Sequence, residues 1–255
     1  PTCRPRGHGD DVIATTVAAF RTVAAVSFIA LYVLVFAPPG LIWAAITGRP
    51  DLLYWLAFGG VRGGLWLAGI GHAAEGHQHV DGSRPTVYCV NHASNVEPPI
   101  AYRYLYPVFP HLVAIYKKEL RALPLLPRVW DAAGFVPIDR TNRMQSDRAI
   151  QNAAAQVRER RKSFLVFPEG TRSKTGELLP FKKGAFILAI QAQAPIVPVA
   201  IIGGRAAMKK GSRLIWPVRV RVCFGEPIPS TGYTVDQRDA LIEVVRARMI
   251  ALLES

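Results

Sequence analysis

Between Thr22 and Gly48 the chain carries no charged side chain. A backbone that enters hydrocarbon must satisfy its own hydrogen bonds, so such a stretch is constrained to helix. Its apolar core, "TVAAVSFIALYVLVFA" at 22–37, is closed by Pro38, Pro39 and Gly40, and alone it is shorter than the ~20 residues of a spanning helix. A second apolar stretch, Leu52 to Ile70, is broken only by Arg62 and by glycines. Two arrangements satisfy the pattern: two helices that meet at the Pro-Pro-Gly turn and dip into a bilayer from one side, or one span using most of Thr22–Gly48. Arg4, Arg6 and Arg21 precede the region, Arg49 divides it, and nearly all other Lys and Arg follow it. The positive-inside bias therefore places both its ends on the cytoplasmic side. No small-x-small site precedes a polar start, which argues against a cleaved signal peptide.

Half of the 255 residues are hydrophobic, yet 31 Lys and Arg against 18 Asp and Glu leave a net charge of +13. The combination suggests a membrane-associated protein with a basic face towards anionic lipid, nucleic acid or phosphorylated metabolites; the alternative is a solubilising Arg-rich surface. The basic residues are dispersed and form no recognisable nucleic-acid module. Cys3, Cys89 and Cys223 are odd in number and widely spaced, which fits a reducing compartment and neither a disulfide framework nor a metal site. His72, His77 and His79 lie in a Gly/His-rich joint, "GIGHAAEGHQHVDGSRP", read as a linker or a short polar strand with exposed histidines rather than metal ligands.

From residue 86 onward short β-rich runs alternate with helical patterns. "TVYCV" (86–90), "FLVF" (164–167) and "IVPVAII" (196–202) are continuous apolar runs, as expected of strands buried on both faces. "VRVRVCF" (218–224) alternates with Arg and predicts a strand with one wet face. "SDRAIQNAAAQVRERR" sets Ile150, Ala153, Ala154 and Val157 on one helical stripe, and "KKGAFILAIQAQ" predicts a second helix. A terminal helix is expected after Asp236 as N-cap, with Leu241, Val244, Val245 and Leu252 inward. The fold expected is α/β: a mixed, largely parallel sheet flanked by helices, with a membrane-associated helical segment at 1–70 and a catalytic domain at 71–255.

Two motifs follow predicted strands, at the edge where open α/β sheets place their sites. In "VNHASNVEPP" (90–99), His92 and Glu97 stand five residues apart, about 140° off one helix face. The segment must bend for them to meet, and Pro98 and Pro99 oppose helix continuation. A carboxylate on one imidazole nitrogen fixes the tautomer and frees the other nitrogen to take a proton from a hydroxyl. A capped turn around a core histidine is the alternative. Ser94 reads as a turn residue and Cys89 as a buried, inert thiol. In "FPEGTRS" (167–173), Gly170 allows close backbone approach, Thr171 and Ser173 supply hydroxyls, and Arg172 offers a planar fork for phosphate oxygens. "PFKKGA" adds Lys182 and Lys183, and "GFVPIDR" adds Arg140. Each alone also reads as a charged turn.

Taken in order, "NHASNVE", "GFVPIDR", "FPEGTRS", "IVPVAI" and "FGEPI" resemble the glycerolipid acyltransferase family, above all its 1-acylglycerol-3-phosphate (lysophosphatidate) acyltransferases, over residues 86 to 228. The resemblance implies that His92 is the general base and that Glu97, standing where the family usually has aspartate, orients it. It implies that Glu169, Gly170, Thr171 and Arg172, with Arg140 and less directly Lys182 and Lys183, bind the acceptor phosphate. It further implies a membrane lipid setting at the cytoplasmic face of the inner membrane, a lysophospholipid acceptor converted to phosphatidic acid, acyl-CoA or acyl carrier protein as donor, and no metal or other cofactor. Glu97 in place of aspartate keeps other acceptors open: glycerol 3-phosphate, another lysophospholipid or an amino-acid lipid. A reading from a different class is a basic membrane-binding protein without catalysis.

Overall fold

The computed structural model describes residues 8–139 and 142–255. Helix α1, His8–Thr47, runs without a break through Pro38 and Pro39, and α2, Asp51–Ala68, returns beside it. The Pro-Pro-Gly turn expected from the sequence is thus not the bend. Proline's fixed φ suits a helix, and the acceptors it leaves unpaired are tolerated in apolar helices. The chain reverses instead at Gly48, whose φ of +68° only glycine adopts freely, followed by Pro50. Arg49 and Asp51 pair across the apex at 3.5 Å.

The two helices pack through glycines. A Cβ at Gly60 would lie 2.9 Å from the Tyr32 ring, one at Gly63 2.6 Å from Phe28, and one at Gly64 2.8 Å from Ile29. This descending register makes the pair antiparallel. The small stripe lets α2 sit close against the aromatic ridge Phe28–Tyr32–Phe36. Most other large α1 side chains, among them Phe20, Val26, Leu34 and Ile46, are exposed. Among the described residues one helix, Asp11–Thr47, is long and apolar enough to cross a membrane.

The hairpin is bonded to the domain at both its base and its apex end. At the base Ile215 donates its amide to Thr22 Oγ1 at 2.8 Å, while Arg21 ties α1 to α2 by donating to the Leu67 carbonyl. Tyr54 Oη donates to the Leu112 carbonyl, and Tyr102 Oη to that of Tyr54. Two residues after α2 the chain enters strand β1, Gly71–Glu75, so the Gly/His-rich joint is partly sheet. Its histidines are half-buried and bonded: His72 to Tyr104 Oη, His77 to the Tyr104 carbonyl, His79 to the Phe224 carbonyl. They are not the exposed linker side chains expected.

Six more strands follow: β2 Val87–Val90, β3 Leu112–Lys117, β4 Val136–Ile138, β5 Ser163–Val166, β6 Ile196–Ile202 and β7 Arg219–Phe224. They form one sheet in the order β1-β7-β6-β2-β5-β3-β4, and every neighbouring pair is parallel except β6–β7. In β2, Tyr88 and Val90 enter the core under α2 and α3 (Glu97–Tyr104), while Val87 and Cys89 enter the core under α5 (Arg143–Arg160) and α6 (Gly184–Ala192). Burial on both faces is why this strand reads as a continuous apolar run. Helix α4, Leu126–Ala133, packs beside the hairpin, and the four-residue α7, Gly204–Ala207, follows β6.

Helix α8, Arg238–Glu254, begins after a capping box of Thr234 and Gln237 rather than at Asp236, because the Thr-Gln pair satisfies two amide donors reciprocally. Its buried stripe is Leu241, Ile242, Val245 and Met249, with Val244 left exposed. The glycine contacts of the hairpin carry a prediction. Gly63→Leu overpacks the Phe28 contact and costs about 1–3 kcal/mol, read as a lower thermal midpoint in detergent micelles, whereas Ala30→Leu on the exposed side of α1 leaves the midpoint unchanged.

Candidate active site

Strand β2 lies between β5 and β6 at the centre of the sheet, and all three run in the same direction. The loops leaving their carboxyl ends therefore emerge side by side. Asn91, the first residue beyond β2, is pinned by two bonds to one residue of β6: its Nδ2 donates to the Ile201 carbonyl at 3.1 Å and its Oδ1 accepts from the Ile201 amide at 2.7 Å. This fixes the starting point of the next residue, His92.

Glu97 opens α3, with Pro98 and Pro99 in the first turn. The prolines begin a helix here instead of barring one, since first-turn amides have no intrahelical acceptor to lose. The bend needed to bring His92 and Glu97 together lies before them, at 91–96. Glu97 is wholly buried, and its Oε2 accepts three bonds, from His92 Nδ1 at 3.0 Å, from the Ala93 amide at 2.7 Å and from the Ser94 amide at 3.0 Å. Nδ1 thus carries the proton, and Nε2 has no bond to any described residue. The His92 ring leans on Phe167, 4.3 Å between centroids, and keeps 16% of its side chain exposed. Ser94 is a turn residue: its Oγ donates to the Met208 carbonyl at 2.8 Å. Cys89 is fully buried in β2, and burial pushes its thiol up to about 12, which makes it a poor nucleophile.

The loop after β5 is fastened to the histidine loop on both sides. The His92 amide donates to Glu169 Oε1 at 2.6 Å, and the Ser173 amide donates to the His92 carbonyl at 2.7 Å. Glu169 Oε2 also accepts from the Leu179 amide at 3.0 Å. The family resemblance assigns Glu169 to the phosphate; in the structure its buried carboxyl accepts from two backbone amides. Gly170, at φ +68°, lies beneath the aliphatic stem of Lys182. Thr171 is exposed and Arg172 half-buried, with no bond from the guanidinium to a described residue. Lys182 is exposed beside them, whereas Lys183 is drawn to Asp239 at the start of α8, 3.8 Å away. Arg140 lies outside the described residues.

A third segment, 204–210 beyond β6, was not legible as part of the site. Lys210 Nζ donates to Thr171 Oγ1 at 3.1 Å and to the Arg172 carbonyl at 2.8 Å. Arg205 donates through Nε and Nη2 to the Lys174 carbonyl. These contacts cross more than thirty residues of sequence, and the only signal was a basic "MKKGSR" after a buried strand. The assembled edge thus holds a carboxylate-oriented imidazole with a free Nε2 beside a glycine loop bearing Thr171 and Arg172, backed by Lys182 and Lys210. Such a site can take a proton from a hydroxyl whose phosphate is held by the cations.

The imidazole–carboxylate pair and the cationic glycine loop lie within or beside the segment, residues 73–202, that the family model Acyltransferase matches; the chain belongs to this family. Among its relatives are 1-acyl-sn-glycerol-3-phosphate acyltransferases of Limnanthes douglasii (35% identical over 190 residues, 74% of this chain and 66% of that protein) and Cocos nucifera (32% over 183 residues, 72% and 58%). The human 1-acyl-sn-glycerol-3-phosphate acyltransferase alpha is 32% identical over 188 residues, 73% of this chain and 65% of its own. The chain therefore aligns with somewhat under two thirds of these relatives' lengths. The crystal structure of the 1-acyl-sn-glycerophosphate (LPA) acyltransferase PlsC from Thermotoga maritima has the same fold, with a TM-score of 0.76, 22% identity and 96% of each chain covered.

Burial holds the Glu169 carboxyl at about 7, against the downward pull of the Leu179 and His92 amides and with a further push from Glu97. A folded pKa above the unfolded value near 4.5 means that the folded state binds the proton more tightly. Its stabilising contribution is complete below about pH 4.5 and is lost as pH rises through about 7. Glu169→Gln removes this titration, so the thermal-midpoint advantage of the wild type over Glu169→Gln should shrink from pH 4.5 to pH 8.

Proposed function

We propose that this chain transfers a fatty acyl group from the thioester of coenzyme A or acyl carrier protein to the free hydroxyl of 1-acylglycerol 3-phosphate, forming phosphatidic acid. The observation that carries the reading is the double fastening of the His92 loop to the Glu169–Arg172 loop, which sets a proton acceptor and a phosphate cradle at a fixed spacing. The acceptor's phosphate sits against Arg172, Thr171 and Lys182, with Lys210 bracing the loop. Its hydroxyl gives its proton to His92 Nε2 while the oxygen attacks the thioester carbonyl carbon. Glu97 stabilises the imidazolium that forms. As the carbon–sulfur bond breaks, the departing thiolate takes the proton back from His92. No acyl-enzyme is needed, and holding the hydroxyl in line by its phosphate supplies much of the rate advantage. The names of the relatives support lysophosphatidate as acceptor.

The test is turnover by the purified full chain in mixed micelles with lysophosphatidate, glycerol 3-phosphate and lysophosphatidylcholine, each with acyl-CoA and with acyl carrier protein. Lysophosphatidate should be used best, and His92→Ala should lower kcat by ~10²–10⁴ while leaving folding unchanged. Arg172→Ala should lower acceptor kcat/KM about tenfold or more, by loss of a charge-assisted contact, and leave donor KM unaltered. A folded His92→Ala protein with normal turnover overturns the mechanism.

The exposed apolar face of α1 supports membrane association, and we place the catalytic edge at the cytoplasmic face. Extracting a long acyl chain into water costs roughly 0.8 kcal/mol per CH₂, so an acceptor loop near the headgroups spares the chain that transfer. The +13 charge adds attraction to anionic lipid. Because α1 and α2 form an antiparallel hairpin, single cysteines at Asp11 and Ser83 should both be labelled by an impermeant maleimide from the cytoplasmic side of oriented membranes. Labelling from opposite sides rules this topology out.

A further inference from the structure

We infer that Gly204 is a positioning residue for the imidazole–carboxylate pair: its missing side chain makes the space in which a glutamate, rather than the shorter aspartate, serves as the partner of His92. The inference deepens the acyl-transfer reading and rests on it. The length added by one methylene is not taken up towards solvent, because Glu97 has no exposed surface. Nor is it taken up on the histidine side, where Oε2 is held by three donors. It emerges at the back of the carboxylate, where Oε1 is buried and has no hydrogen-bond partner among the described residues. That oxygen rests against Gly204. A Cβ built there would lie 2.6 Å from Glu97 Oε1, 2.9 Å from its Cγ and 3.2 Å from its Cδ, inside the contact distance at which carbon and oxygen repel.

The three nearest heavy atoms to such a Cβ all belong to Glu97. Gly204 opens the short helix α7, and it is not among the glycines with positive φ, so an L side chain fits its backbone. The left-handed position is the preceding Gly203, at φ +91°. Space for Glu97 is therefore the reason for glycine at 204. The consequence is directional. A methyl group at 204 presses on Oε1 and displaces the carboxylate that fixes His92 Nδ1. An aspartate at 97 draws the carboxylate back and leaves a void over Gly204. Combined, the methyl fills the volume that the methylene vacated, a roughly volume-conserving exchange.

The test is a double-mutant cycle on the full chain in mixed micelles: Gly204→Ala, Glu97→Asp and both together, read as kcat and KM with lysophosphatidate and as thermal midpoint. Each single change should lower kcat about tenfold, with KM changed less than threefold, because orientation of the base and not acceptor binding is disturbed. Independent effects would multiply to about a hundredfold; the coupled pair should instead recover to within tenfold of wild type. A double variant at or below the product of the singles, or Gly204→Ala with wild-type kcat, overturns the inference. If Gly204→Ala does not fold, the double variant must fold; failure of both overturns it as well. Should the wild type transfer no acyl group, the proposed function falls, and the cycle in thermal midpoint still decides whether residues 97 and 204 are coupled.

Discussion

A single buried carboxylate joins the two halves of the site. Glu169 reaches from the loop after β5 to the backbone amide of His92 and, through its other oxygen, to the amide of Leu179. Without it, one backbone bond, from Ser173 to His92, would join the loop bearing the imidazole to the loop bearing Arg172. With it, and with the Ser173–His92 bond alongside, the spacing between proton acceptor and cation cradle is set by hydrogen bonds whose geometry tolerates a few tenths of an ångström. Catalysis by orientation depends on that tolerance, since a misplacement of about 1 Å is enough to lose most of the advantage.

The site is organised as three neighbouring strand ends, each contributing one kind of group. β2 delivers the imidazole, β5 the glycine loop, and β6 a segment that touches both: Gly204 under Glu97, the Met208 carbonyl on Ser94, and Lys210 on the glycine loop. Parallel neighbours make this possible because all three loops leave the sheet at the same edge. The antiparallel β7 then turns the chain back towards the far edge, where it pairs with β1 and meets the hairpin.

Much of this was legible in the residues, and the failures have physical causes. The doubly buried strands β2, β5 and β6 appear as apolar runs between turn residues, and β7 as an alternation with Arg, because burial dictates side-chain type directly. Strand β3, "LVAIYK", carries the same kind of apolar run. The bend expected at Pro38–Pro39 and the stop expected at Pro98–Pro99 fail for one reason: proline opposes a helix only where the lost amide bond and the ring clash are not relieved. In α1 the apolar helix tolerates them, and at the start of α3 no bond was there to lose. His92, Glu97 and the glycine loop are legible in the sequence because their spacing is local. Glu169 as a strut, Lys210 as a brace and Gly204 as a notch are not, since each acts through a contact that only the folded sheet creates.

The absence of slack between α2 and β1 has a kinetic meaning. Only Gly69 and Ile70 separate the hairpin from an edge strand of the sheet, and Thr22 near its base and Tyr54 near its apex bond it to the domain. With the hairpin seated in a bilayer and a lipid acceptor, as proposed, an enzyme anchored so stiffly would not sample that acceptor from bulk solution. It would meet substrate by lateral diffusion at one fixed height, and the concentration that governs its rate would be the number of acceptor molecules per unit area of bilayer. Diluting the acceptor with inert lipid slows such an enzyme even when the total amount in the suspension is unchanged, and enlarging the aqueous volume does not.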